Sequence, residues 1–170
     1  MSNIVLVGFM GTGKTSVGRR LAEKLKLSYI DTDDVIEQDN EMIIADIFRQ
    51  HGESYFRRLE SDAVRKVSGL DNHVISTGGG VVIREENLEM LKRNGMVFSL
   101  AATPEEIWKR VGHEIHRPLL QAPQPLDRIR KMLAARAPFY ARADCIIHTT
   151  GLSIEEVTDQ IIEVFQHAIY

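Results

Sequence analysis

Residues 8–15 read Gly8-Phe9-Met10-Gly11-Thr12-Gly13-Lys14-Thr15, directly after the apolar run Ile4-Val5-Leu6-Val7. Behind the octet, Val17, Leu21, Ala22 and Leu25 recur on one face of a helix. An apolar strand that ends in a glycine turn and runs into a helix leaves few folds open. It is the context in which G-x-x-x-x-G-K-[ST] acts as a phosphate loop. The glycines let backbone N–H groups curl around phosphate oxygens with no Cβ in the way. The helix N-terminus adds partial positive charge. Lys14 can reach the β- and γ-phosphates, and Thr15 can offer its hydroxyl to Mg²⁺. Gly11, Thr12, Gly13, Lys14, Thr15 and Ser16 are therefore the candidate nucleotide-binding residues.

The rest of the chain alternates in the same way. Short β-like runs at 3–8, 28–31, 73–76, 96–100 and 144–148 are separated by amphipathic stretches. Helices are predicted over 14–26, 34–39, 42–51, 53–69, 84–94, 104–111, 125–137 and 153–168. This alternation argues for a parallel sheet with helices on both faces. Thr103-Pro104-Glu105-Glu106 and Ser153-Ile154-Glu155-Glu156 read as helix starts, and Lys92-Arg93-Asn94-Gly95 as a helix end. Residues 112–125 break the pattern with Gly112, Pro118, Pro123 and Pro125, the composition of a mobile excursion: either a lid, as long loops in compact domains often are, or an ordinary irregular crossover.

Composition narrows the class. With 170 residues, 44% of them hydrophobic, the chain can bury one full core. Lys+Arg number 21 against 24 Asp+Glu, so there is no basic excess of the kind that nucleic-acid binding needs. Cys145 is the lone cysteine and sits in an apolar run, which suits a reducing compartment and a packing role. No apolar run approaches the ~20 residues of a membrane span. A soluble cytoplasmic protein is expected, with no membrane or nucleic-acid partner.

Four further clusters suit a site at the C-terminal strand ends, where ligands bind in parallel sheets. Asp31-Thr32-Asp33-Asp34 follows a strand. Asp31 could hold Mg²⁺ through water, Asp33 could orient an acceptor hydroxyl and take its proton, and Asp34 is the expected helix cap. Arg57 and Glu60 are three apart on one helix flank. They are either a surface ion pair or an arginine fork for a carboxylate, aimed by Glu60. Gly78-Gly79-Gly80 ends a strand and invites close approach of a ligand to the backbone. Arg110, Arg117 and Arg136 lie in the C-terminal half, and a lid arginine such as Arg117 could neutralise charge on a transferring phosphoryl group. The histidines show no zinc-ligand spacing with cysteine.

Taken in order, the Gly8–Thr15 loop, Asp31-x-Asp33, Phe56-Arg57-x-x-Glu60, Gly78-Gly79-Gly80, Arg117-Pro118-Leu119-Leu120 and Arg136-x-Pro138-x-Tyr140 resemble the shikimate kinase family. The resemblance runs from Ile4 to about Val157. It implies a three-layer α/β/α phosphate-loop kinase fold with a central five-stranded parallel sheet, one domain over 1–170, substrate-binding helices at about 32–60 and a mobile lid at about 112–125. It further implies transfer of the ATP γ-phosphoryl group to the 3-hydroxyl of shikimate, a step of aromatic amino-acid biosynthesis. In that reading Lys14, Asp33 and Arg117 are catalytic. Asp33, Arg57, Glu60, Gly79, Gly80 and Arg136 bind shikimate. Arg110 and Ser153 lie at adenine, and Thr15 and Asp31 serve Mg²⁺. The family favours a monomer. Two departures stand out: Ser153 replaces a frequent proline, and no acid ends the strand before Gly78, which leaves Asp31 as the metal-side carboxylate. A gluconate-type or nucleoside-monophosphate kinase would share the loop, size and lid but would not need Arg57, Gly78–Gly80 and Arg136 together. A nucleotide-dependent switch is the non-enzymatic alternative, but no Asn-Lys-x-Asp guanine-reading run occurs.

Overall fold

Strand β1 (Asn3–Gly8) is buried along its whole length because it lies in the middle of a sheet. The computed structural model of the chain describes residues 2–114, 121 and 123–169. The other strands are β2 (Ser28–Asp31), β3 (His73–Ser76), β4 (Gly95–Ala101) and β5 (Cys145–His148). Their order is β2-β3-β1-β4-β5, and every pairing is parallel. Val5 pairs with Ile75 and Val97, which puts the ends of β1, β3 and β4 level at the phosphate loop.

Successive side chains of a strand point to opposite faces, so β1 feeds two cores. Ile4 and Leu6 join Val74, Phe98 and Leu100 beneath helices α1 (Lys14–Leu25) and α7 (Ile154–Ile169). Val5 and Val7 join Ile75 and Val97 on the other face. That face is covered by α2 (Thr32–Asn40), α3 (Ile44–Ser68) and α4 (Glu85–Arg93). Ile107 of α5 (Pro104–Val111) and Ile129 of α6 (Pro125–Tyr140) complete it. Each of these buried aliphatic side chains is worth about 1.5–3 kcal/mol in transfer free energy. The two filled faces give the expected three layers.

The expected boundaries hold within a residue or two at most ends. The predicted pair 42–51 and 53–69 is the single element α3, kinked at Gly52, whose φ of 81° and ψ of 176° no helix permits. Both predicted capping sites form: Thr103 Oγ1 accepts the Glu106 N–H, and Ser153 and Glu156 exchange two bonds.

Three expectations are corrected. α2 begins at Thr32, two residues earlier than predicted, and its cap is Asp31 rather than Asp34: the Asp31 carboxylate accepts the Asp33 N–H at 2.9 Å. Thr32 is fully buried, which pulls the helix start back to the strand end. α6 does not stop before Pro138 but runs through it to Tyr140. Proline forfeits one bond to the preceding turn, and in the last turn the loss is small enough for packing to override. A short 3-10 turn at Val81–Ile83 buries Val81 and Val82 under the first core face.

Candidate active site

The phosphate loop closes on itself. Gly11 and Gly13 have φ of +74° and +99°, values that disfavour any residue with a Cβ. Thr12, 2% exposed, donates its hydroxyl to the Phe9 carbonyl at 2.8 Å. Lys14 Nζ donates to the carbonyls of Gly8 and Phe9 at 2.7 and 3.0 Å. Gly13 caps α1, so the first N–H groups of that helix face the loop. A cavity of about 430 Å³ opens here, walled by Gly11, Gly13, Lys14, Thr15, Ser16, Asp31, Asp33, Gly78, Gly79 and Arg110. The sequence names these ten, which come from four separate segments; Met10, Ser76, Thr77, Val111 and Glu114 also line the cavity and are not among its candidates.

A second cavity of about 440 Å³ adjoins it and shares Gly13, Ser16 and Arg110. Ser153 lines this one, with Thr12, Leu152 and Val157. The N–H and hydroxyl of Ser153 are both engaged in its helix cap. Arg110 stands between the two cavities under tight restraint. Its Nε donates to Glu106 at 3.0 Å, Nη1 to the Gly11 carbonyl at 3.2 Å and Thr149 Oγ1 at 3.1 Å, and Nη2 to the Thr149 carbonyl at 3.2 Å. Sequence reasoning misses Glu106 and Thr149. The available signals are the i,i+4 spacing of Glu106 to Arg110 and a Thr-Thr pair just past an apolar strand.

The acceptor side is built around Gly78–Gly80. A Cβ on Gly78 would sit 2.9 Å from Asp33 Oδ1 and 3.2 Å from Glu60 Oε2. One on Gly80 would land on the Arg57 guanidinium. Gly78 and Gly80 are required by space, and neither they nor Gly79 has a positive φ. Glu60 is only 1% exposed and holds Arg57 Nη1 at 2.8 Å. This argues against a solvated surface bridge, because Glu60 is buried and Arg57 half-buried. Arg136 lies over the Phe9 ring at 5.6 Å, and its Nη1 is 3.5 Å from the Gly79 Cβ position. Arg57, Glu60, Gly80 and Arg136 thus stand beside the first cavity, against the glycine triplet. Arg117 and half of the expected lid (115–120 and 122) lie outside the described residues.

Electrostatics set Asp33 apart. Burial pushes its carboxyl up to about 7; the charges of Asp31 and Glu60 add to the rise, and Lys14 opposes it. Burial also raises Asp31 and Glu60, the latter against the pull of Arg57. Asp33 Oδ1 and Glu60 Oε2 are buried and accept no hydrogen bond among the described residues. A buried oxygen of this kind costs free energy until a donor reaches it. At Asp33 that oxygen belongs to a carboxylate that also walls the loop cavity.

The donor set fits Mg²⁺ as a hard cation that keeps several waters. Thr15 and Asp31 face the same cavity, and both offer oxygen. The Asp31 carboxylate is oriented by the Asp33 N–H and by the Tyr29 hydroxyl at 3.3 Å. No group of three or more His, Cys, Asp or Glu that could hold a metal occurs among the described residues. A cation here would therefore take part of its shell from a bound phosphate.

A phosphate cradle at the sheet's C-terminal edge, with an acidic and arginine-lined recess beside it, defines a phosphate-loop phosphotransferase that carries its own acceptor pocket. The comparisons narrow this further. A family model described as shikimate kinase matches residues 10–166. A shikimate kinase of Caldanaerobacter subterraneus subsp. tengcongensis is 48% identical over 165 residues, covering 97% of this chain and 96% of the relative. One of Symbiobacterium thermophilum is 49% identical over 167 residues, covering 96% of each. The solved shikimate kinase from Acinetobacter baumannii in complex with shikimate superposes with a TM-score of 0.93 at 34% identity, over 99% of this chain and 94% of that one. The Aquifex aeolicus structure gives 0.83 at 30% identity, over 98% of each. The chain belongs to the shikimate kinase family.

Proposed function

We propose that this chain transfers the γ-phosphoryl group of ATP to the 3-hydroxyl of shikimate, releasing shikimate 3-phosphate and ADP. The observation that carries the reading is the buried, unpartnered Asp33 oxygen, set between the phosphate loop and the Arg57–Glu60 pair. Shikimate is a small anionic triol. It asks for arginines at its carboxylate and an acceptor of protons at its hydroxyls. Arg57 and Arg136 supply the first from separate elements, and such planar cations fix a carboxylate better than lysines would. Glu60 holds Arg57 in aim, and the backbone of Gly79 and Gly80 lies against the ring.

Asp33 supplies the second. Its carboxylate accepts the proton of the 3-hydroxyl as that oxygen forms its bond to the γ-phosphorus and the bond to the ADP oxygen breaks. A base whose pKa lies near 7 is matched to this task at neutral pH. The N–H groups of Gly11 to Ser16 and the Lys14 ammonium hold the phosphates while negative charge shifts towards ADP. Arg110 and Ser153 flank the adenine. Thr15 and Asp31 would hold Mg²⁺, directly and through water, and the cation supplies further neutralisation of phosphate charge. Arg117 would add a cation from the lid.

One sheet underlies those of these groups that lie among the described residues, and we read residues 1–170 as one catalytic domain that works as a monomer. Dependence on ATP favours a cytoplasmic site of action. Among the described residues no helix is long and apolar enough to cross a membrane. The direct test is ADP release with ATP and Mg²⁺, comparing shikimate with gluconate, AMP, CMP and no acceptor. Turnover with shikimate alone is expected. Turnover with another acceptor instead would remove the carboxylate role of Arg57 and Arg136.

A further inference from the structure

Gly79 is where the two halves of the site touch. The place a Cβ would occupy is 3.5 Å from the Gly8 carbonyl and 3.6 Å from the Met10 nitrogen, both in the phosphate loop. The same place is 3.5 Å from Arg136 Nη1 of α6. The carbonyl of Gly79 is held from α6 as well: the Tyr140 hydroxyl donates to it at 2.6 Å. Tyr140 is 9% exposed, and its ring packs in the first core face. Arg136 and Tyr140 are four residues apart, so they lie one above the other on a single face of the helix. Between them Pro138 deprives the last turn of a backbone bond. This helix end is therefore fastened to Gly79 from a side chain at the point where its own ladder is weakest.

We propose that Tyr140 is a positioning residue for the acceptor. Through the Gly79 carbonyl it fixes how far Arg136 stands from the Gly79–Gly80 backbone, so that the acceptor's carboxylate and ring are held as one unit against the phosphate loop. It touches neither substrate. This role rests on the proposed shikimate reading, because it acts through the arginine that would bind the carboxylate.

Tyr140→Phe removes the hydroxyl and keeps the ring. The KM for shikimate is expected to rise about 3- to 10-fold, the loss of one buried hydrogen bond. The KM for ATP and kcat should stay within about twofold, since the loop and Asp33 are untouched. Combined with Arg136→Lys, Tyr140→Phe should add little, because both act on one placement. A melting curve recorded beside the kinetics separates positioning from packing. A lowered melting temperature with an unchanged shikimate KM would assign Tyr140 to the core and overturn the proposal. So would failure to fold, an equal rise in both KM values, or full additivity with Arg136→Lys. A wild-type chain that does not phosphorylate shikimate would refute the functional reading first, and this role with it; an active wild type with normal Tyr140→Phe kinetics would refute this role alone.

Discussion

Gly80→Ala isolates the proposed carboxylate fork without touching its charges. Gly80 has φ of −98° and ψ of 3°, a backbone that alanine adopts in ordinary turns. The added methyl therefore brings no backbone strain, and its whole effect lies in what it meets. Its carbon would be built 2.5 Å from Arg57 Nη2 and 2.7 Å from Cζ. Ordinary contact needs about 3.4 Å or more, so the guanidinium must retreat by roughly 1 Å. It cannot do so freely. Its Nη1 is tied at 2.8 Å to Glu60, whose side chain is only 1% exposed. Losing that bond outright would leave a buried carboxylate unpaired, at about 3–5 kcal/mol. Since arginine is flexible, the pair should shift and stretch rather than break. We therefore expect an overpacking cost of about 1–3 kcal/mol. In a chain of this size each kcal/mol lowers the melting temperature by roughly 2–4 °C.

The kinetic effect should be larger and one-sided. A charge-assisted hydrogen bond to a carboxylate is worth about 1.5–3 kcal/mol, or roughly 10- to 150-fold in binding. The KM for shikimate should rise by that order while the KM for ATP stays within about twofold, read from ADP release at saturating co-substrate. Gly69→Ala is the control: Gly69 has φ of −82°, and its nearest neighbour to an added Cβ is the Lys66 carbonyl at 3.7 Å. That variant should be neutral or slightly stabilising. If Gly80→Ala melts lower yet binds shikimate with unchanged KM, Arg57 is not the carboxylate fork. If both KM values rise equally, the methyl has disturbed the whole site and the argument from local displacement fails.

Asp33→Asn should lower kcat by about 10²- to 10⁴-fold while ATP still binds, as calorimetry would show; an unchanged kcat excludes Asp33 as the base. Because the Asp33 pKa is raised to about 7 and only the ionised form accepts a proton, kcat/KM for shikimate should fall as pH drops through that value, with rate proportional to the ionised fraction. A profile flat from pH 6 to 8 would contradict the assignment. Arg136→Ala should raise the shikimate KM far more than the ATP KM, and equal effects would count against it. Lys14→Ala should abolish turnover; near-normal kcat would remove Lys14 from the phosphate site.

The sheet and the loop were legible because their signals are local. β1 and α1 are adjacent in sequence, and apolar period and glycine position mark both. What the sequence could not carry was the state of groups set by distant neighbours. Arg57 and Glu60 at three-residue spacing read equally as a surface bridge, because the burial of Glu60 depends on Gly78, eighteen positions on. The choice of cap between Asp31 and Asp34 turned on the burial of Thr32, a tertiary fact. Pro138 signalled a helix end, yet α6 continues to Tyr140, whose hydroxyl finds Gly79 across the fold. Such misses fall where local rule and long-range contact disagree.

That disagreement also bears on how the site works. Gly78, Gly79 and Gly80 lie on one short segment, and each meets a different functional group: Asp33 with Glu60, Arg136 and Arg57 respectively. Four side chains from α2, α3 and α6 are thereby gauged against one backbone rather than only against one another. A small shift of that backbone would move Asp33, the proposed base, and Arg57 and Arg136, the proposed carboxylate fork, together relative to the phosphate loop, whose Gly8 and Met10 abut Gly79. Transfer demands that the acceptor oxygen and the γ-phosphorus approach within a narrow tolerance, and about 1 Å of misplacement can cost 10²-fold in rate. A shared spacer meets that demand better than three independent supports would. It also explains why Gly78 and Gly80 have no room for a side chain, although neither needs glycine's freedom of φ.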